Sequence, residues 1–417
     1  MRSDLLLYGL LGFLFFALLV GPACSQRVAT REQAPPCDSC QSTPPPTPST
    51  SITIFMAGDV MTGRGIDQVL SHPSDPLIHE PCMQSAQGYV DLAEQTSGPM
   101  PQPVDFAYIW GDALEEWERV RPDARLINLE TSVTTSNDYW TGKEVHYRMH
   151  PQNVPSLTAA KIDFCSLANN HVLDWGYAGL AETLETLDKA NIHTAGAGQD
   201  LQQAETPAVL EVEGKGRVIV FSYGFATSGI PISWTASADE PGVNLLADLS
   251  DQTVQHIKAK VEEVEQPGDV VVASIHWGSH WGYDIPPEQS GFARQLIDEA
   301  GVDVVHGHSS HHVKGIEVYQ GKPIIYGAGD FLNEYEGIGG YEHFRPDLVL
   351  MYFVSVDPAT GKLIHLQMTP MQIMHFKVNR ASSADALWLT DVLNREGEQF
   401  GTRAEINPDG ILALRWD

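Results

Sequence analysis

Five short apolar runs in this chain each break off into side chains that can bind a metal or move a proton, and this restricts the folds open to it. Ile52 to Ala57 runs into Gly58-Asp59, and Ala124 to Leu129 into Glu130. Ile162, Phe164, Cys165, Leu167 and Ala168 lead to Asn169-Asn170-His171. Val270 to Ile275 ends in His276-Trp277-Gly278, and Val302 to Val305 opens into His306-Gly307-His308-Ser309-Ser310-His311-His312. Short apolar runs of this kind are expected to be buried strands. Open α/β sheets place their chemistry at the carboxyl ends of such strands.

Helical periodicity falls at 111–120, 153–160, 177–190, 250–265, 287–300 and 384–399, mostly after a strand. Strand alternating with helix argues for an α/β domain, helices covering a sheet. Residues 71–103 are rich in Pro, Gly and Ser and predict a long surface insertion after the first strand. No internal repeat and no phosphate-cradling glycine loop is present, so a nucleotide-binding P-loop is excluded.

A hydrophobic fraction of 42% against 19% charged residues marks a globular chain. With 25 basic and 54 acidic residues the formal charge is −29, which repels nucleic acid and anionic lipid, so neither is an expected partner of the folded part. Membrane contact is expected only through the N-terminus. There Arg2, the apolar run Leu5 to Val20 and Gly21-Pro22-Ala23-Cys24 fit a secretory signal or anchor over residues 1–26. That run is shorter than the roughly 20 residues of a stable span. Lipid attachment at Cys24 is the sharper alternative to ordinary cleavage. Either way the expectation is an exported protein of the cell envelope or exterior. Residues 27–50 are a Pro/Ser/Thr-rich linker, and the ordered domain is expected over 51–417. Cys37 and Cys40 sit in that linker without a second pair to complete a zinc site. They suit a local disulfide or an inert pair better than redox chemistry, and Cys82 and Cys165 look structural.

Carboxylate, amide and imidazole drawn from several strand ends suit a first-row divalent ion such as Mn, Fe or Zn. One ion or two are in view; a pair can clamp both oxygens of a displacement at phosphorus. Asp59 follows a buried strand through a glycine and is a first ligand, while Glu130 is a carboxylate able to bridge two cations. Asn170 would ligate through its oxygen. His171 beside it would stay off the metal to stabilise a transferring group or protonate a leaving oxygen, with Asp174 orienting its ring. His276, His308 and His311 supply imidazoles from strand-to-loop turns. His280, His306 and His312 rank lower, the last two because they lie outside the Gly-His-x-x-His unit. Arg64 is a candidate for an anionic group of the substrate, with an ordinary exposed arginine as the alternative. Arg148 carries the same ambiguity.

In order along the chain, Gly58-Asp59-Val60-Met61-Thr62-Gly63-Arg64, Asn128-Leu129-Glu130-Thr131, Ala168-Asn169-Asn170-His171-Val172-Leu173-Asp174-Trp175-Gly176, His276-Trp277-Gly278, Gly307-His308-Ser309-Ser310-His311 and Tyr326-Gly327-Ala328-Gly329-Asp330-Phe331 together resemble the bacterial CapA family of capsule and poly-γ-glutamate synthesis proteins, which is similar to the calcineurin-like metallophosphatases. The resemblance implies an α/β fold of four layers, an αββα sandwich of two facing sheets with helices outside. It implies Asp59 and His311 on one ion, Asn170, His276 and His308 on the other, Glu130 between them, and His171 as the catalytic imidazole. Met61 stands where the wider phosphatases carry the His of Asp-x-His, and Leu129-Glu130 replaces their Gly-Asp. Asp330 replaces the family's usual Asn. Met61 and Leu129-Glu130 leave one ion thinly held and keep a mononuclear or inactive site open, whereas the added carboxylate of Asp330 would strengthen the site or merely cap a turn.

Two functions follow. One is an exported, metal-dependent hydrolase of the phosphoesterase type acting on envelope or capsule material. The other is a non-catalytic accessory protein that binds the capsule polymer or a membrane-bound capsule synthase.

Overall fold

Residue parity along the first strand decides which layer each side chain joins. In the computed structural model, which describes residues 51–417, strand Ile52–Val60 sends Ile52, Ile54 and Met56 to one face and Phe55 and Ala57 to the other. It pairs in parallel with Ala124–Leu129, followed outward by Phe164–Ser166 and His193–Ala195. On its other side it pairs antiparallel with Leu348–Asp357, then Lys362–Ile373, Leu412–Trp416 and Thr402–Ile406. The second sheet has a parallel centre of Gly216–Phe225, Val270–His276, Val304–His308 and Lys322–Ile325. Antiparallel Ala208–Val212 and Ile316–Tyr319 flank it.

The faces of the two sheets meet. Ile54, Met56, Leu126 and Leu350 from the first pack in one apolar cluster with Val218, Val220, Val270, Val272 and Val304 from the second. The reverse face of the first sheet, with Phe55, Ile127 and Cys165, packs on Trp117, Leu180 and Leu187. The reverse face of the second, with Ile219, Val271 and Ala273, packs on Val254, Ile257, Phe292 and Leu296. The order is therefore helix, sheet, sheet, helix: a four-layer αββα sandwich. Each fully buried aliphatic side chain stabilises it by about 1.5–3 kcal/mol.

The covering helices are Ala113–Val120, Pro155–Ala159, Gly176–Lys189, Asp251–Glu262 and Pro287–Glu299, each inside or overlapping a window of helical periodicity, whereas Ser383–Gly397, in another such window, packs Leu389, Val392 and Leu393 into the cluster between the sheets. Two start at serine caps: Ser250 accepts from the Thr253 N–H and Ser382 from the Asp385 N–H, satisfying donors a helix start leaves open. Two segments differ from expectation. Residues 71–103 carry a helix, Gln87–Ser97, whose Tyr89, Val90 and Ala93 are buried, a short apolar stripe hidden in a Pro- and Ser-rich context. The third strand is only Phe164–Ser166, because the Ile162 N–H is taken by the Leu157 carbonyl at the end of the preceding helix.

Cys165 is buried on its strand, but Cys82 is exposed and has no packing role. The expected leader, the linker and the cysteines at 24, 37 and 40 lie outside the described residues. Among the described residues no helix is long and apolar enough to cross a membrane.

Candidate metal centre

Asp59 owes its direction to a bulge. Met56 is registered with Leu126 but Asp59 with Asn128, so one extra residue sits on the first strand between them. That insertion turns Asp59 onto the face of Met56, between the sheets, instead of the outer face of Phe55 and Ala57. Gly58 occupies the bulge because a Cβ there would meet the Gly329 carbonyl oxygen at 1.7 Å. Asp59 is also registered with Asp330 on the adjoining parallel strand Asp330–Leu332. In the second sheet His276 and His308 are direct register partners, on the inward parity of Val272 and Val304. Both sheets thus deliver donors to one place, the carboxyl ends of their parallel strands.

The donors converge. His276 Nδ1 lies 2.9 Å from His308 Nδ1, and Asp59 Oδ1 lies 3.8 and 3.9 Å from those two nitrogens. Asp59, His276 and His308 form one group able to hold an ion, and Asp59, Glu130 and His311 a second, so Asp59 is the shared member. The resemblance had placed Glu130 between the ions; in this geometry Asp59 joins both groups. Asn170 Oδ1 sits 3.0 Å from His276 Nε2, and Glu130 Oε1 is 4.0 Å from the same nitrogen. Asn170 therefore stands on the opposite edge of the His276 ring from His308. All seven residues, His171 included, are buried.

Supporting contacts fix these groups. Asn128 donates to Asp59 Oδ1 at 2.7 Å, and Asn169 donates to Asn128 Oδ1 at 3.1 Å and to the Leu129 carbonyl at 2.9 Å. The Ser309 N–H also reaches the Asp59 carboxylate. Ser309 has φ +98°, a conformation costly for a residue with a Cβ and typical of functional loops. His311 Nδ1 is 2.9 Å from Asp330 Oδ1, and Asn333 holds the other Asp330 oxygen at 2.7 Å. A carboxylate on one ring nitrogen fixes the tautomer that leaves the other for a metal.

His171 has its own scaffold. Its Nδ1 lies 2.6 Å from Asp174 Oδ2, and its Nε2 is 3.8 Å from Glu130 Oε1. Asp174 also accepts from Lys143 Nζ at 2.5 Å and from the Tyr147 N–H at 2.7 Å. Lys143 reaches the Asn170 carbonyl as well, and the Tyr147 ring stacks on His171 at 3.9 Å.

Burial dominates the electrostatics. It pushes the Asp59 carboxyl up to about 7, with the nearby Asp330 carboxylate adding to the rise, and holds Glu130 well above the usual range. Asp174 is raised to about 6, again by burial, despite Lys143. Burial holds His276, His308 and His171 well below the ordinary imidazole value, so all three rings are neutral with lone pairs to offer. His311 is the exception: burial pulls it down, but the Asp330 carboxylate outweighs this and raises it.

Arg64 is neither exposed nor free. Its guanidinium, 5% exposed, donates to Glu334 and, at 2.7 Å, to Glu80 Oε1, and lies 4.0 Å from the Tyr89 ring centroid. Two carboxylates therefore occupy the anion-binding capacity assigned to it from sequence. Arg148 donates to Ser136, Asn137 and Asp75 and covers Trp175, away from the ligand groups. His280, ranked low, is 3.1 Å from His311, while His306 contacts Ser274 behind His308. The residues missed from sequence are Asn128, Lys143, Tyr147 and Tyr335, whose hydroxyl lies 3.4 Å from His311 Nε2. Asn128 was detectable, since it continues the inward parity of Leu126; Lys143, in an irregular loop, carries no local signal.

The chain matches the model of a family described as bacterial capsule synthesis protein PGA_cap over residues 53–335. It belongs to that family. Among its relatives, a probable polyglutamine synthesis accessory protein of Mycobacterium tuberculosis is 48% identical over 364 residues, covering 87% of this chain and 96% of the relative. The PGA biosynthesis protein CapA of Bacillus subtilis is 30% identical over 248 residues, 59% of this chain and 60% of that one. A crystal structure of a novel phosphatase of Mycoplasma pneumoniae has 12% identity and a TM-score of 0.43, covering 79% of this chain and 95% of that one. In this PGA_cap protein the buried donor set suits divalent cations.

Proposed function

We propose that this PGA_cap protein is an exported, metal-dependent hydrolase that cleaves a phosphoester or related bond in capsule or envelope material. The observation that carries the reading is the pair of orphaned oxygens. Asp59 Oδ2 and Glu130 Oε1 are buried without a hydrogen-bond partner among the described residues, amid neutral imidazoles. Leaving such oxygens unpaired costs folding free energy, which a divalent cation would offset. The residues fit the ion. Asp59, His276 and His308, with Asp59, Glu130 and His311, would hold it, and Asn170 adds an amide oxygen. When bound, such a cation polarises a phosphoryl oxygen and lowers the pKa of attached water.

The chain's own part centres on His171. In a neutral ring the bond to Asp174 keeps the proton on Nδ1, so Nε2 presents a lone pair toward Glu130 and the ligand cluster. It takes a proton there from the attacking water. The imidazolium so formed pairs with Asp174 and gives its proton from Nε2 to a departing oxygen. Lys143 and the Tyr147 N–H keep Asp174 in place, and the Tyr147 ring limits the tilt of the imidazole. Positioned acid–base groups contribute about 10²–10⁴-fold. His171→Ala is therefore expected to lower Mn- or Zn-dependent cleavage of bis-p-nitrophenyl phosphate by that factor while bound metal stays unchanged. Absence of metal-dependent turnover in the parent protein would remove the hydrolase reading, and equal turnover in both proteins would remove His171 from it.

A second reading, a non-catalytic accessory protein that binds the capsule polymer or a membrane-bound synthase, is favoured by Met61. This residue is buried where the wider phosphatases carry a ligand histidine, and its sulfur accepts from the Gly63 N–H. Full rescue of capsule formation by His171→Ala would select it. Under either reading we place the protein outside the cell, released by cleavage of its leader or held by its N-terminus.

A further inference from the structure

Two cavities share a wall, and the first of them adjoins the metal centre. The first, of about 250 Å³, has His311 at its inner end and Arg64, Tyr89, Tyr147 and Trp281 around it. The second, of about 380 Å³, runs outward to Met374. Tyr335, Ile338, Tyr341 and Pro346 line both, so the two form one groove that begins at a ligand group. Together they fall within the roughly 300–1,000 Å³ that ligand sites occupy.

The chemistry of this groove is specific. Tyr341 stacks flat on Trp281, 3.9 Å between centroids and 5° between planes, yet is 42% exposed, and Ile338 beside it is 39% exposed. A rigid aromatic platform thus stands at the junction of the cavities, with Thr96 and Glu342 exposed at the outer rim. Cationic side chains are present but committed. Arg64 is neutralised by Glu80 and Glu334, and Arg345 makes paired 2.8 Å contacts with Asp347 and a 2.9 Å contact with Asp385. Glu336 and Glu342 add negative charge along the outer cavity. A polyanion laid here would meet carboxylates and no free cation. A lipid chain would meet the same carboxylates.

We propose that the groove binds an uncharged polyhydroxylated chain, a neutral glycan segment, and leads it to the metal centre. The apolar C–H faces of sugar rings pack on aromatic platforms, and their hydroxyls pair with carboxylate and hydroxyl oxygens at the edges. The inference rests on the hydrolase reading only for its direction, the scissile bond lying at the His311 end. Binding requires neither catalysis nor metal.

The test is calorimetric titration of the full chain, in the His171→Ala background to prevent turnover, with cellohexaose, chitohexaose and a γ-linked glutamate hexamer as probes. At least one neutral hexamer is expected to bind saturably, tenfold or more tighter than its own dimer, with the glutamate hexamer weaker. Tyr341→Ala, at an exposed position, should weaken that binding tenfold or more with an unchanged melting temperature, and Tyr341→Phe should retain it. Absence of saturable binding by both neutral hexamers, tighter binding of the glutamate hexamer, or indifference to Tyr341→Ala would overturn the proposal. Sugar binding in a protein without phosphodiesterase activity would sink the hydrolase reading alone.

Discussion

Replacing Lys143 with methionine isolates the machinery that holds His171. The ammonium lies 2.5 Å from Asp174 Oδ1 and 5.1 Å from the Trp234 centroid; methionine keeps most of the apolar stem and removes the charge. Asp174 is fully buried and already raised to about 6 from an ordinary 3.8 by burial, with Lys143 opposing the rise. Without Lys143 it must rise further. For such a raised acid the folded chain holds a proton that the unfolded chain releases near 3.8. Its contribution is fully present below that value and is lost as pH climbs through the folded pKa. In the parent protein the loss levels off above about 6; in Lys143→Met it continues upward. The stability difference should be small near pH 5 and grow by about 1.4 kcal/mol per pH unit above 6. Near pH 8 it reaches about 3 kcal/mol, the low end for stripping one partner from a buried ion pair. Urea midpoints of the metal-free proteins, followed by tryptophan fluorescence at several pH values, measure this. In an Asp174→Asn background the Lys143→Met difference should lose its pH dependence, since the carboxyl beside residue 143 is gone. A penalty independent of pH, or none near pH 8, would refute the reasoning.

Other consequences are equally direct. Gly58→Ala puts a methyl group 1.7 Å from the Gly329 carbonyl oxygen, so the strands bearing Asp59 and Asp330 must part. Metal affinity should fall at least tenfold, read by competition with a chromogenic chelator. Because burial raises Asp59 to about 7, protons compete with metal below that value, and affinity should rise about tenfold per pH unit up to it and then flatten. Isothermal titration with Mn across that range checks this; a flat profile would mean Asp59 is not a ligand. Trp117→Ala should cost about 3–5 kcal/mol, because its ring packs edge-on against Phe55 at 5.1 Å beneath the strand that carries Asp59. Denaturant midpoints give the value.

The strand ends and the helices were legible because both rest on local patterns. Apolar runs broken by Asp59, Glu130, His276 and His308 are signals of strand ends wherever the chain goes next. Long-range geometry was not legible. The bulge before Asp59 depends on the partner strand at Leu126 to Asn128, and between Ile52 and Asp59 only Gly58 hints at it, a residue that serves a turn equally well. The commitment of Arg64 depends on Glu334, far along the chain, and on Glu80, in a segment whose Pro and Ser content hid its helix. Lys143 likewise acquires its role only by folding onto Asp174. Side chains that serve other side chains leave little trace in spacing, whereas those that end strands do.

Everything above turns on the convergence of Asp59, Glu130, His276, His308 and His311 on bound cations. Elemental analysis of the full chain after loading with Mn or Zn and exhaustive dialysis tests this most directly, with Asp59→Asn and His308→Ala in parallel. The parent protein is expected to keep at least one equivalent of tightly held metal and Asp59→Asn to lose it on dialysis, because the shared anionic ligand becomes a neutral amide. Metal-free parent protein, or equal metal in all three, would contradict it.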